Sequence, residues 1–264
     1  MSAADRRITV VTGASRGIGR AAARALADAG HQVVLIARAQ KALEALDDEI
    51  RAAGGAATLV PMDLKDEGGI ERLAGALFER YGRIDGLLAA AGVLGDLSPV
   101  NSITPRAWSQ NIEINLTANW RLIRSLEPLL RASPCGRGVF GSSGVVERPR
   151  ALWGEDGAGK AGLDALVRCW ADEVENTAIR VNLINPGPMR TKMRSTIFPG
   201  EDPMSLPPPE AMAPLLAQML SPDWTDHAGR VVFRETAGFA AWERDPAGFE
   251  ARLARPEPSS SPAS

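Results

Sequence analysis

Two hydrophobic rhythms alternate along this chain. Short runs that are apolar on both faces give way to longer stretches whose apolar residues return at helical spacing. These are the signatures of buried strands and amphipathic helices. The first run, 8–11, is rich in β-branched residues. It leads into Gly13, Gly17 and Gly19 and then into an alanine-rich helical pattern over 18–29. Further strands are predicted at 32–37, 57–61 and 86–91. Between them fall a helix at 41–53, stopped by Gly54-Gly55, and a helix at 70–81, ended by Gly82. Pro105 after Thr104 opens a long helix to about Leu130, with Pro128 near its end. Strands follow at 139–143, 179–184 and 231–234, and helices at about 158–174 and 210–220.

Seven apolar strands linked by helices predict an α/β fold: one Rossmann-like, doubly wound, seven-stranded parallel sheet with helices on both faces. No linker or internal repeat divides the 264 residues, and one α/β domain can fill that length. The expected organisation is a nucleotide-binding domain over 1–237 and a C-terminal extension over 238–264, disordered after about 255. The domain includes a proline-rich loop at about 189–214, of a length that usually marks a functional lid.

Composition narrows the partners. The net charge is -2, with arginines scattered among acids, which argues against nucleic acid or a membrane surface. No apolar run is long enough to span a bilayer and residues 1–7 are polar, so a cytoplasmic protein is expected. Cys135 and Cys169 lack CxxC spacing and read as packing thiols in a reducing compartment. His31 and His227 stand alone, and no metal site is expected.

Chemistry enters at the glycine turn. Glycine permits a sharp turn and a close ligand, and the helix behind it offers unpaired N–H groups and the positive end of its dipole to a phosphate. Several segments, in order, resemble the short-chain dehydrogenase/reductase family over about residues 6–237. They are Thr12-Gly13-Ala14-Ser15-Arg16-Gly17-Ile18-Gly19, Asp63, Gly82-Arg83-Ile84-Asp85, Asn115, Ser143, Lys160 with its following Ala161-Gly162-Leu163, and Pro186-Gly187 with Thr191. The resemblance implies a nicotinamide dinucleotide held by Gly13, Ser15, Arg16, Gly17, Ile18, Gly19, Arg38, Asp63, Leu64, Ala91, Gly92, Lys160, Pro186, Gly187 and Thr191. It further implies Ser143, Lys160 and Asn115 as catalytic residues acting on a small-molecule carbonyl or alcohol.

Two departures from the family pattern stand out. The fourth strand ends Ala89-Ala90-Ala91-Gly92 where the family has Asn-Asn-Ala-Gly. Four positions before Lys160, where the family carries its proton-donating tyrosine, stands Asp156; the chain's one tyrosine, Tyr81, lies elsewhere. An aspartate starts near ~3.9, and a neighbouring lysine pushes it lower, so Asp156 is expected to be ionised and a poor acid or base. Gly154, Gly157, Gly159 and Gly162 also predict a catalytic helix that begins late or moves.

Two readings follow: an oxidoreductase with atypical or weakened catalysis, or an NADP(H)-binding scaffold or sensor without turnover. A Ser/His/Asp hydrolase has little support, since no Gly-x-Ser-x-Gly occurs. The second strand ends Ile36-Ala37-Arg38 with no acid for the ribose hydroxyls. Arg16 and Arg38 suit a 2′-phosphate instead, so NADP(H) is expected over NAD(H). Trp108, Ile112, Leu116, Trp120 and Ile123 on the long helix, and Leu163, Leu166, Val167 and Trp170 on the next, place apolar residues on more than one face. With the resemblance, this implies a homodimer or homotetramer.

Overall fold

A parallel strand must bury both its faces, and alternate residues of each strand here feed two separate cores. The computed structural model describes residues 6–254. Its seven strands are β1 (Ile8–Thr12), β2 (Gln32–Ala37), β3 (Ala56–Pro61), β4 (Gly86–Ala89), β5 (Arg137–Gly141), β6 (Arg180–Asn185) and β7 (Arg230–Val232). All pair in parallel, in the order β3-β2-β1-β4-β5-β6-β7. The predicted doubly wound sheet is therefore the observed one.

The helices sort by core. Val10, Ile36, Leu87 and Phe140 face one layer, where they meet α3 (Glu67–Tyr81), α5 (Ala118–Arg131) and α6 (Gly154–Glu173). Val11, Leu35, Leu88 and Val139 face the other. That layer holds α1 (Gly17–Asp28), α2 (Gln40–Ala52), α8 (Ala213–Met219) and α9 (Ala237–Arg244). Phe239 and Trp242 of α9 are both 6% exposed within this core. The expected C-terminal extension thus begins as part of the domain, and α10 (Pro246–Leu253) follows it. The expectation of disorder after about 255 lies outside the described residues.

The remaining differences from expectation have local causes. The long helix starts as α4 (Pro105–Ile112), capped by the Thr104 side chain on Ala107 N–H. It then widens into a π turn at Glu113–Thr117 before α5. The proline-rich loop contains a short α7 (Lys192–Ile197), whose first turn is capped by Thr191. Cys169 is exposed rather than packed, while Cys135 Sγ accepts from Arg7 Nη1 at 2.8 Å. His31 is buried and meets Thr9 Oγ1 at 2.9 Å. No helix among the described residues is long and apolar enough to cross a membrane.

Phe140 is fully buried and stands edge-on to Trp170, with ring centroids 5.8 Å apart at 83°. Phe140→Ala should therefore cost about 3–5 kcal/mol of unfolding free energy, read from denaturant titration, by loss of transfer energy and by cavity formation.

Candidate active site

The strand order reverses between β1 and β4, so the loops that leave their C-terminal ends part and open a crevice there. On one side lies the glycine turn. Gly13 has a φ of 69°, and a Cβ there would lie 2.9 Å from Ala91 Cα. A Cβ at Gly19 would lie 2.5 Å from the Gly13 carbonyl oxygen. Only glycine lets turn, helix and β4 end come this close. Thr12 Oγ1 accepts from the Ala91 N–H at 3.1 Å, which ties the end of β4 to β1 without the family's asparagines.

Helix α1 opens with no acid in its first turn and no side-chain cap from Arg16. Its first N–H groups and positive dipole end are left for an anion. Ala14 N–H donates to the Ile36 carbonyl at 3.2 Å, so the turn lies against the end of β2, where Arg38 sits. Arg16 and Arg38 are both exposed. Asp63, two residues past β3, accepts from the Lys65 N–H at 3.0 Å. The Leu64 side chain packs into the core, so only its backbone can face a ligand. At the far end, Gly187 has a φ of 66° and its N–H donates to Asn185 Oδ1 at 3.0 Å. The Thr191 methyl lies 3.5 Å from where a Gly17 Cβ would be, which closes this end onto the glycine turn beside Ser15 and Ile18. These residues fit a dinucleotide.

On the other side lies a polar cluster. The π turn carries Asn115, whose side chain clasps the loop after β4. Its Oδ1 accepts from Val93 N–H at 3.0 Å and its Nδ2 donates to the Val93 carbonyl at 2.7 Å. A Cβ at Gly92 would lie 3.2 Å from Asn115 Oδ1 and 3.5 Å from Lys160 Nζ, so Gly92, Asn115 and Lys160 converge. Lys160 donates to the Gly141 carbonyl at 2.6 Å. Ser143 follows two residues later, its carbonyl held by Arg230 Nη2 at 2.6 Å.

Helix α6 begins at Gly154, not late as the glycines suggested. The reason is packing. A Cβ at Gly159 would strike Asn111 Oδ1, and one at Gly162 would lie 2.9 Å from Leu116 Cδ2. The glycines let α6 approach the α4–α5 helix closely, and that contact orders its first turn. Asp156 in this turn is 3% exposed, and its Oδ2 has no hydrogen-bond partner. Burial pushes its pKa up to about 6 against the Lys160 ammonium and the Ser143 hydroxyl, and Glu155 adds to the rise. This corrects the expectation that Lys160 would dominate. No ion pair within 4.0 Å joins the two, because Lys160 is spent on Gly141. Burial also lowers the Lys160 pKa, which Asp156 and Asp164 counter. Tyr81 lies far from this cluster in the fold, its hydroxyl 2.9 Å from Thr58 Oγ1 on β3.

Three neighbours escaped the sequence reading. Asn111, fully buried, accepts from Asn115 Nδ2 at 3.0 Å; its position one turn before Asn115 was the available signal. Glu155 is 3% exposed, with burial raising its pKa and the Asp96 N–H lowering it. Arg230 carried no signal beyond a charge at the start of a strand.

A glycine turn at the switch point, facing a polar cluster across the crevice, defines a dinucleotide-binding α/β protein. The family model for short chain dehydrogenases matches residues 7–202. The oxidoreductase YciK of Escherichia coli K12, itself uncharacterised, is 36% identical over 220 residues, 82% of this chain and 87% of that protein. A short chain dehydrogenase of Shigella flexneri 2a complexed with NADP is 36% identical with a TM-score of 0.82, covering 86% of this chain and 96% of that one. Another, of Escherichia coli CFT073 complexed with NADPH, is 35% identical with a TM-score of 0.79, covering 86% and 95%. The chain belongs to the short chain dehydrogenase family.

The raised Asp156 pKa fixes the sign of a stability effect. The folded state holds this proton above the unfolded value of 3.8, so Asp156 favours folding most at low pH. That contribution is lost as pH rises through about 6. Asp156→Asn should therefore match the natural protein below the unfolded value, at pH ~3, and exceed its unfolding free energy at pH ~8. The gain should reach up to about 3 kcal/mol, two pKa units, in denaturant titrations at the two pH values.

Proposed function

We propose that this chain is an NADP(H)-dependent oxidoreductase that moves a hydride between a nicotinamide and a small-molecule substrate, with Asp156 at the family's tyrosine position. The observation that carries the reading is the convergence of Asn115, Gly92 and Lys160 beside Ser143 and Asp156, across the crevice from the glycine turn. Relatives complexed with NADP and NADPH support the cofactor class. When bound, the cofactor supplies the hydride. The protein's residues hold and orient: α1 receives phosphates, Lys160 reaches ribose hydroxyls, Ser143 fixes the substrate's polar atom, and Asp156 holds a proton beside it.

Arg16 and Arg38 have no acidic partner within 4.0 Å among the described residues, which leaves two guanidinium forks for a 2′-phosphate. NADPH should bind more tightly than NADH by calorimetry, and Arg38→Ala should narrow the gap. Equal affinity for the two cofactors would refute this.

With its pKa at about 6, Asp156 is mostly ionised at neutral pH and as a carboxylate is too weak a base for an alcohol, so ordinary ketones should turn over slowly. Asp156→Tyr should raise ketone reduction by at least about 10²-fold, the lower end of a positioned acid's contribution. A second reading, a binding protein without turnover, is favoured by the absence of a tyrosine from the cluster. It prevails if NADPH binds while neither the natural protein nor Asp156→Tyr turns over any of a carbonyl panel.

We also read the chain as a homodimer or homotetramer. Trp108 and Trp120 on the α4–α5 helix are 44% and 43% exposed, and β7 leaves a sheet edge for a further contact. Light scattering at micromolar concentration should return at least twice the monomer mass.

A further inference from the structure

Two adjacent carboxylates, Glu155 and Asp156, are each 3% exposed in the first turn of α6, and Glu155 Oε2 and Asp156 Oδ2 have no hydrogen-bond partner. Among the described residues no lysine or arginine pairs with either within 4.0 Å; Lys160, one turn after Asp156, donates to Gly141 instead. Each carboxyl has one polar neighbour, the Ser143 hydroxyl for Asp156 and the Asp96 N–H for Glu155, and a buried second oxygen left without a partner is costly. The residue that leads into this turn is aromatic. Trp153, the residue before α6, stacks on Phe198 of the loop after α7, with centroids 6.3 Å apart at 24°. Aromatic faces attract cations. The loop's own cation, Arg194, is committed: it lies 3.8 Å over the Phe198 ring and pairs with Glu201 at 2.6 Å.

We propose that the substrate is a C=N compound, an imine bound as its protonated iminium cation, and that Asp156, supported by Glu155, is the counter-ion and proton holder for its nitrogen. The inference rests on the hydride-transfer reading above and names its substrate class.

Charge bookkeeping separates the two substrate classes. Reducing a carbonyl creates negative charge on oxygen, which Asp156 and Glu155 would oppose. Reducing an iminium creates none. The substrate carbon gains the hydride, the C=N π pair moves onto nitrogen, and the reduced nicotinamide is oxidised by the same two electrons. The positive charge passes from substrate to nicotinamide, and a carboxylate stabilises it in both places. The nitrogen's proton comes from the Asp156 carboxyl, which solvent recharges. An imine nitrogen is far more basic than a carbonyl oxygen, so it can take a carboxyl's proton before the hydride arrives, which a carbonyl oxygen cannot. The groups facing this proton are Ser143 beyond β5 and Lys160 and Glu155 on α6, and Glu155 in turn meets Asp96 in the loop after β4.

The test uses the full chain and 2-methyl-1-pyrroline against cyclopentanone, with NADPH affinity measured separately by fluorescence. The imine should be reduced with a kcat/KM at least about 10²-fold above the ketone. Asp156→Asn should erase most of that preference, and Asp156→Tyr should shift it toward the ketone. A readout free of turnover accompanies it. Pyrrolidine, cationic at neutral pH, should bind the NADP-loaded protein about 10-fold more tightly than cyclopentanol, and Asp156→Asn should remove the difference. If NADPH binds and the ketone is preferred, or neither compound is reduced, the imine assignment is overturned while cofactor binding stands. If NADPH does not bind, the hydride-transfer reading falls, and this one with it.

Discussion

Everything in this molecule depends on the reversal of strand order at β1. The chain builds outward through β2 and β3, then returns to lay β4 on the other side of β1. Two loops must therefore leave neighbouring strand ends in opposite directions, and the crevice between them is a consequence of connectivity. The glycine turn, Arg38, Asp63, Gly92, Ser143 and Pro186 all fall at or just past the C-terminal ends of their strands. None could be moved to another loop without leaving the crevice.

Close backbone approach sharpens that arrangement at two levels. At the turn, Gly13 and Gly19 let α1 and the end of β4 meet β1 with no room for a methyl group. One layer away, Gly159 and Gly162 do the same for α6 against the π turn. The π turn sets Asn115 where its side chain can clasp Val93, and Asn119 Nδ2 donates to the Asn115 carbonyl at 2.9 Å. Helix widening of this kind redirects a side chain that a regular helix would aim elsewhere.

The sequence showed the strands and the order of elements plainly, because a parallel strand is apolar on both faces and glycines punctuate the turns. It showed β2 to the residue, and the family resemblance pointed to Asn115, Ser143 and Lys160, which the fold brings near one another. It did not show what depends on distant contacts. The glycines of α6 read as helix breakers by propensity, since nothing local says that Asn111 and Leu116 will press against them. Asp156 read as an ordinary carboxylate beside a lysine. Its pKa is set by how deeply the first turn of α6 is buried, and by Lys160 turning to the Gly141 carbonyl, and both are tertiary facts. Likewise α9 read as an extension, because its two aromatic anchors, Phe239 and Trp242, find their core only once α8 and the sheet are in place.

The unsatisfied polar atoms show where the fold gives up stability. Among the described residues, ten buried side-chain atoms lack a hydrogen-bond partner, and six of them belong to Ser142, Glu155, Asp156, Asp164 and Arg230. All five residues lie just past β5, on α6 as far as Asp164, and at the start of β7, around the candidate site. Scattered defects would be the mark of a poorly consistent sequence; a cluster in one place, amid cores that are otherwise apolar and close-packed, marks a region held to a different requirement. Asp164 illustrates it: 4% exposed, with burial raising its pKa, it stands 3.9 Å from Arg230 Nε without a hydrogen bond between them. A tyrosine at 156 would have removed one buried carboxyl from this cluster. The cations gather at Asp164, where Arg230, Arg168 and Lys160 all act, while Lys160 alone acts on Asp156 and none on Glu155, so the first turn of α6 is the end of the cluster a cationic substrate would use.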